Sequence, residues 1–199
     1  MSDRFVEGAK DSRGTIERLL KGLPGIRGYV DKEMRRDADK RLRDLIAREL
    51  EEQKQALFAV QQQMLRSGGL RFMATVDGAI QKLQILVDRV KTASYGYAGL
   101  FDTVNIQEEQ LNALYRFDVA LANRIGELEN AVVQLGTAFD ENNAVDAAID
   151  RLTNLLIELN TLFGKRNDAI VNPDLLLDST FVPEVPADLL DMDTESRDS

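Results

Sequence analysis

The side chains best suited to catalysis near neutral pH are absent from this sequence. Its 199 residues include no His and no Cys. His is the usual general base near pH 7 and the commonest transition-metal ligand, while Cys supplies thiolate nucleophiles, disulfides and zinc sites. Serine triads, zincin motifs and Glu-x-x-His di-iron sites are therefore excluded. We expect a protein that is not an enzyme and has no cofactor or metal, and we keep a carboxylate- or Lys-based enzyme as the third hypothesis.

One carboxylate lies where the sequence pattern favours an apolar side chain. Between residues 111 and 135, Leu, Ile and Val recur three and four residues apart, and Asp118 interrupts them. A carboxylate on an inner helix face needs a counter-charge, which Arg116, Arg124 or a facing helix could supply while fixing the register of the helices. A ligand or ion site is the weaker interpretation, since one carboxylate does not make an active site.

Aromatic residues and glycines cluster at residues 95–101, YGYAGLF. Tyr95, Tyr97 and Phe101 form either a contact patch, since amphipathic rings on a flexible backbone suit recognition, or the packed interior of a turn between helices. Both interpretations stay open, as does the choice between loop and helix for residues 93–104.

Positive charge is concentrated near the N-terminus. Residues 1–48 hold 13 Lys or Arg against 9 Asp or Glu, a net of +4, whereas residues 49–199 hold 12 against 25, a net of −13. Only the N-terminal quarter could contact an anionic surface, so we expect no nucleic-acid partner. Within this region, charges of both signs alternate at helical spacing from Asp31 to Asp44. A run of this kind is most often a solvated helix face. The candidate contacts with an anionic membrane surface or acidic partner are Arg18, Lys21, Arg35, Arg36, Lys40 and Arg43.

These residues are positioned by an all-α architecture. Residues 1–29 contain an amphipathic helix, with Ile16, Leu19 and Leu20 on one face, followed by a joint of glycines around Pro24. Residues 30–167 predict a helical bundle with helices at about 30–67, 70–93 (or to 104), 106–136 and 143–164. Asn105 is the predicted N-cap of the third of these, and residues 136–144 a turn.

Two helices of this bundle carry regular heptad seams, which pack equally well inside one bundle or between chains. The first seam is Met73, Val76, Ile80, Leu83, Val87 and Val90, and the second runs from Leu111 through Leu114, Leu121, Ile125, Leu128 and Val132 to Leu135. The helix at 30–67 is longer than its neighbours, which favours self-association because part of its apolar stripe would otherwise be exposed.

Residues 168–199 differ from the rest in composition. They contain three of the four prolines and an excess of acid, so we predict a disordered acidic tail. Its apolar residues alternate with Asp and Glu, a pattern typical of a short peptide that docks on another protein. The predicted partner-binding residues are Leu175, Leu176, Phe181, Val182, Leu189, Leu190 and Met192.

The predicted fold is thus an elongated antiparallel helical bundle or coiled-coil hairpin with long helices and a disordered acidic C-terminal tail. In layout, the basic amphipathic N-terminal helix, long charged hairpin and acidic tail are similar to membrane-remodelling proteins of the phage-shock and ESCRT-III type, although no motif carries over residue by residue. We expect a cytoplasmic, homo-oligomerising scaffold or adaptor whose tail recruits a partner protein. The alternative is a protein peripheral to the inner face of the membrane, since the N-terminus has no signal-peptide core and no segment could span a bilayer.

Overall fold

A computed structural model describes residues 14–16, 18–19, 32–93 and 107–186, and of residues 32–36, 38 and 39 it describes the helical backbone only. Throughout these ranges the regular structure is helical and no strand occurs, which confirms the all-α prediction. No helix within them combines the length and apolarity that crossing a bilayer requires. The elements are α1 (Lys32–Arg66), the 3₁₀ helix η1 (Leu70–Phe72), α2 (Met73–Thr92), α3 (Glu108–Asp140), α4 (Val145–Val171) and the 3₁₀ helix η2 (Pro173–Leu177).

Helices α1 and α2 form an antiparallel pair. Lys54 Nζ lies 2.8 Å from Gln84 Oε1, and Lys91 Nζ lies 3.3 Å from Glu51 Oε2, so residue numbers fall along α1 as they rise along α2. Helices α3 and α4 pair in the same sense, because Gln134 accepts a hydrogen bond from Arg151 near the turn and Asp118 pairs with Arg166 far from it. The two pairs meet through α1 against α3 and α2 against α4.

The heptad seams lie inside this arrangement. Val76, Leu83, Val87 and Val90 of α2 are fully buried, and the α3 seam is buried along its whole length. The inner face of α4 completes the same cluster with Ile149, Leu152, Leu156, Leu159 and Phe163. The α3 seam and four of the six residues of the α2 seam are thus covered within one chain, and Met73 and Ile80 are partly buried against the same cluster.

The α1–α2 hairpin turns tightly at two glycines. Gly68 has φ +85°, a left-handed conformation that favours glycine. A Cβ on Gly69 would lie 2.8 Å from Phe139 Cε2 and 2.9 Å from the Met64 carbonyl oxygen. Glycine is required here because the turn passes directly against the end of α3.

Helix α3 continues past its predicted end at residue 136 and reaches Asp140. Its last turn carries Phe139, whose ring meets Phe72 edge-to-face with 6.5 Å between the ring centroids. The turn that follows uses positive φ at Asn142 and Ala144. Tertiary packing of one aromatic ring therefore outweighs the unfavourable composition of residues 136–140. At the other end of α3 the N-cap is Gln107, and the predicted cap, Asn105, lies outside the described residues.

Helix α4 also runs beyond its predicted end at Gly164, as far as Val171. A Cβ on Gly164 would lie 3.3 Å from Arg89 Nη2, so the glycine leaves room for a guanidinium of α2. Ala169 and Ile170 in the added turns are fully buried. Their burial stabilises helix that the glycine alone would have ended.

The prediction of a disordered tail from residue 168 is wrong for its first part. After α4, the chain forms η2 and folds back on α3 and α4. Leu176 is only 3% exposed and belongs to a second, smaller core with Leu114, Phe117 and Ile170. The prediction of disorder was wrong here because composition reflects only the apolar surface that a segment could bury by itself. This segment instead completes a core that α3 and α4 form together.

Candidate interaction surfaces

The first part of the tail is fixed to the helices by specific contacts, and we call residues 173–182 the tail anchor. Gln110 connects the anchor to α3: its Oε1 accepts a hydrogen bond from the Gln107 backbone N–H at 3.0 Å, and its Nε2 donates to the Pro173 carbonyl oxygen at 3.0 Å. One side chain thus caps α3 and binds the anchor.

The far end of the anchor rests on an aromatic pair. The ring centroids of Phe181 and Phe117 are 5.8 Å apart, and Lys165 Nζ lies 5.2 Å from the Phe181 centroid. Upstream, Thr180 donates hydrogen bonds to Asp178 Oδ1 from its hydroxyl at 2.7 Å and from its backbone at 2.9 Å. These bonds, the hydroxyl's first, lower the pKa of Asp178 and stabilise the turn.

Four of the predicted partner-binding residues therefore lie in the anchor. Leu176 is buried, and Leu175, Phe181 and Val182 are half-buried. Leu176, Phe181 and Val182 contact the protein's own second core. Partner binding by Leu176 stays a prediction, and in this packing its side chain is already covered by α3 and α4. Leu189, Leu190 and Met192 lie outside the described residues.

Asp118 lies at the boundary of the two cores. Its Oδ1 is 2.5 Å from Arg166 Nε, and both side chains are 0% exposed. A facing helix thus supplies the counter-charge, as one of the sequence interpretations has it, rather than Arg116 or Arg124. Residues 118 and 166 are equally distant along the chain from Asn142 in the α3–α4 turn. An antiparallel pairing centred there could have identified Arg166 from the sequence.

The described residues of the N-terminal segment, 14–16 and 18–19, pack against the main core. Leu19 is 1% exposed within the main core, and Ile16 packs against that core. Arg18 donates to Thr15 Oγ1 at 2.8 Å and to Glu49 Oε2 on α1 at 3.3 Å. The apolar face that a membrane surface would require is used inside the protein here.

The predicted basic strip is not one continuous surface. Lys40 is exposed and the Arg18 side chain is 60% exposed, whereas Arg43 is only 8% exposed. Arg43 as an anionic-surface contact stays a prediction, and its side chain is mostly buried in this packing. Lys21 lies outside the described residues, as do the side chains of Arg35 and Arg36. The aromatic patch of Tyr95, Tyr97 and Phe101 also lies outside them.

Carboxylates converge in a polar groove between α3 and α4, whose volume is about 640 Å³. Glu127 and Glu158 flank Arg124, with N–O distances of 2.5 and 3.5 Å, and Asp150 lines the same groove. The guanidinium neutralises two of the three carboxylates. In the part of the chain that the structure describes, no cluster of Asp and Glu is arranged to hold a metal ion.

Large apolar side chains that belong to neither core are exposed on all four α-helices, and they include Val133 on α3 and Val171 on α4. On α1, Phe58 and Leu65 are each 48% exposed and stand seven residues apart, on the same side of the helix; we call this pair the α1 stripe. On α2 and α4, Ile85 is 56% exposed and Ile157 is 50% exposed. The seam pattern did not predict the exposure of either pair, because Phe58, Leu65, Ile85 and Ile157 lie between seam positions.

Ile85 and Ile157 line one open groove between α2 and α4, which we call the α2–α4 groove. Its volume is about 580 Å³. Arg89 crosses it, donating from Nη1 to the Asn160 side-chain oxygen at 2.8 Å and to the Asn160 carbonyl at 3.2 Å. The charged residues of its lining are Lys82, Arg89, Lys165 and Asp168.

No protein-family model, curated protein or solved structure matches this chain. The fold defines an all-α protein.

Proposed function

We propose that this chain is a non-enzymatic helical scaffold or adaptor that self-associates and recruits a partner protein through its acidic, hydrophobic C-terminal residues. The observation that carries the proposal is the α1 stripe, with Phe58 and Leu65 exposed on the longest described helix. Apolar residues seven apart on one side of a helix are the spacing through which helices of two chains pack. Because the α3 seam and most of the α2 seam are covered, the stripe replaces them in this proposal.

The size of these two side chains and their position on one side of α1 support self-association. Large side chains exposed singly are common, but two in register on a long helix make a stripe that a second copy could cover by packing its own stripe against it. A symmetric dimer needs such a self-complementary patch. Within this proposal the partner binds Leu189, Leu190 and Met192. Leu176, Phe181 and Val182 contact the second core instead.

The alternative membrane function has less support in this packing. Leu19 and Ile16 would have to leave the main core before their side chains could enter a bilayer surface. A carboxylate enzyme also has little support, since Arg124 lies against two of the converging carboxylates in the polar groove.

Light scattering after size exclusion tests self-association on the full chain. We expect the natural chain to form a discrete multimer and Phe58→Ser with Leu65→Ser to dissociate it, because the change removes the apolar area of the interface. The matched control is Ile85→Ser with Ile157→Ser, which removes two equally exposed side chains elsewhere and should leave the multimer intact. A natural chain that is monomeric at every concentration and salt would refute the proposal, as would dissociation by the control alone.

A further inference from the structure

The α2–α4 groove differs in charge from the chain that surrounds it. Lys82, Arg89 and Lys165 line it against a single acid, Asp168, in a protein of net charge −9. Its floor is apolar, since Ile85 and Ile157 expose half or more of their side chains. A ligand matched to it would have apolar anchors flanked by negative charges.

One segment of the same chain has this composition. Residues 187–199, ADLLDMDTESRDS, contain five Asp or Glu and one Arg, a net of −4. Leu189, Leu190 and Met192 stand between Asp188, Asp191 and Asp193 in the sequence. Apolar anchors and acids thus alternate as the groove requires.

Residues 187–199 can reach the groove, because the described chain ends at Pro186, close to the groove's edge. Phe181 lies against Lys165, which lines the groove, and Val185 packs on the main core. Five residues, 182–186, therefore separate the segment from a contact with the groove's edge. At ~3.3 Å per residue its 13 residues could extend over ~43 Å, whereas the α4 side of the groove, from Ile157 to Asp168, is only ~16 Å long.

We propose that residues 187–199 dock in the α2–α4 groove of their own chain, with Leu189, Leu190 and Met192 on Ile85 and Ile157 and the acids facing Lys82, Arg89 and Lys165. This goes beyond the proposed function, because it gives the tail a second, internal binding site. Docking would cover the residues that a partner must reach, so a partner and the groove would compete for the tail. The segment at 94–106 fits less well: it has one acid, Asp102, and no basic residue, and both its ends are joined to helices.

Methyl NMR on the full chain tests the contact directly. In the isoleucine-labelled protein, Leu189→Ser with Leu190→Ser and Met192→Ser should shift the Ile85 and Ile157 methyl signals, because these methyls lose apolar neighbours. Ile149, buried in the main core, should not move. The matched control is Leu177→Ser, which removes a leucine that is 46% exposed in the tail anchor and should leave both groove methyls in place. Unchanged Ile85 and Ile157 signals in the triple variant would overturn the proposal.

Zero-length crosslinking identifies the occupant. Carbodiimide should join Lys82 or Lys165 to the carboxylates of residues 188–195, with a yield that falls as salt screens the exposed charges. In a mixture of isotopically light and heavy chains, the crosslinks should join peptides of the same label. Crosslinks that join only different labels would assign the groove to the tail of a second copy, and crosslinks to Asp102 would assign it to the 94–106 segment; either result overturns docking within the chain. Neither readout depends on the α1 stripe, so failure here is distinguishable from failure of self-association.

Discussion

At the scale of single residues, the buried pair of Asp118 and Arg166 joins two helices at the boundary between the two cores. Both side chains are removed from water, so each charge depends on the pairing that the α3–α4 register provides. An apolar pair of similar volume would stabilise the same contact without that dependence. The ion pair therefore acts as a register determinant that penalises any other alignment of α3 and α4.

Breaking this pair should be costly, whereas replacing both members should not. We expect Arg166→Met to lower the free energy of unfolding by about 3–5 kcal/mol, because Asp118 loses its buried guanidinium. Asp118→Leu with Arg166→Met should recover most of that loss. Urea denaturation followed by circular dichroism measures both. Equal losses in the single and double variants would show that the charges do not act as a pair.

Burial also raises the pKa of a carboxyl group that lies beneath the N-terminal segment, that of Glu49. Desolvation raises the pKa of Glu49 above 4.5, and repulsion from Glu52 and Glu129 adds to this, while Arg18 and Arg48 act in the opposite sense. The folded protein thus holds a proton at Glu49 at pH values where the unfolded chain has lost it. This contribution to stability is complete below pH 4.5 and is lost as the pH rises through the raised pKa of the folded state.

Replacing this carboxyl by a neutral amide should remove the pH dependence. We expect Glu49→Gln to unfold at higher denaturant concentration than the natural chain at pH 7, with the difference shrinking to nothing below pH 4.5. Denaturation at a series of pH values tests this. The matched control is Glu141→Gln at an exposed position, which should show no such trend. A variant that is less stable at pH 7 would mean that the contact with Arg18 outweighs desolvation.

At the scale of elements, the end of α4 and the tail anchor form one structural unit. Ala169, Ile170 and Leu176 fill the second core from one side, and α3 fills it from the other. Gln110 and Phe181 hold the two ends of the anchor. The boundary of the folded body thus lies beyond the anchor, and the acidic residues that could serve a partner begin after it.

Truncation distinguishes a folded part that ends at the predicted boundary, residue 168, from one that includes the tail anchor. A chain ending at Asp168 loses Ile170 and Leu176, at about 1.5–3 kcal/mol each, and should therefore be less stable by roughly 3–6 kcal/mol. A chain ending at Pro186 keeps both cores, so its melting temperature should lie close to that of the full chain and fall only by the contribution of docked residues 187–199. Equal melting temperatures for all three would show that the anchor adds nothing to the fold.

At the scale of the whole molecule, the two described surfaces that suit a partner differ in character. The α1 stripe is apolar and suits a second copy, whereas the α2–α4 groove combines an apolar floor with basic residues and suits an acidic peptide. Burial of the N-terminal segment removes its apolar face from the surface. The negative charge of the molecule should repel polyanions elsewhere.

The sequence by itself determined the helices and their inner faces. The spacing of Val76, Leu83 and Val87, and of the corresponding residues of α3 and α4, indicates which side of each helix is buried, because an α-helix repeats every 3.6 residues. It also indicated that Asp118 would need a counter-charge. These are local properties, which a single helix expresses wherever it packs.

Only the tertiary structure decided which residues distant in sequence contact each other. Helix α4 continues past Gly164 because Ala169 and Ile170 are buried beyond it, and the glycine leaves room for Arg89. Leu176 became core because α3 and α4 together leave a site that the returning chain fills. Contacts between residues far apart in sequence add free energy that no local pattern contains, and these contacts outweighed the glycine and the acidic composition.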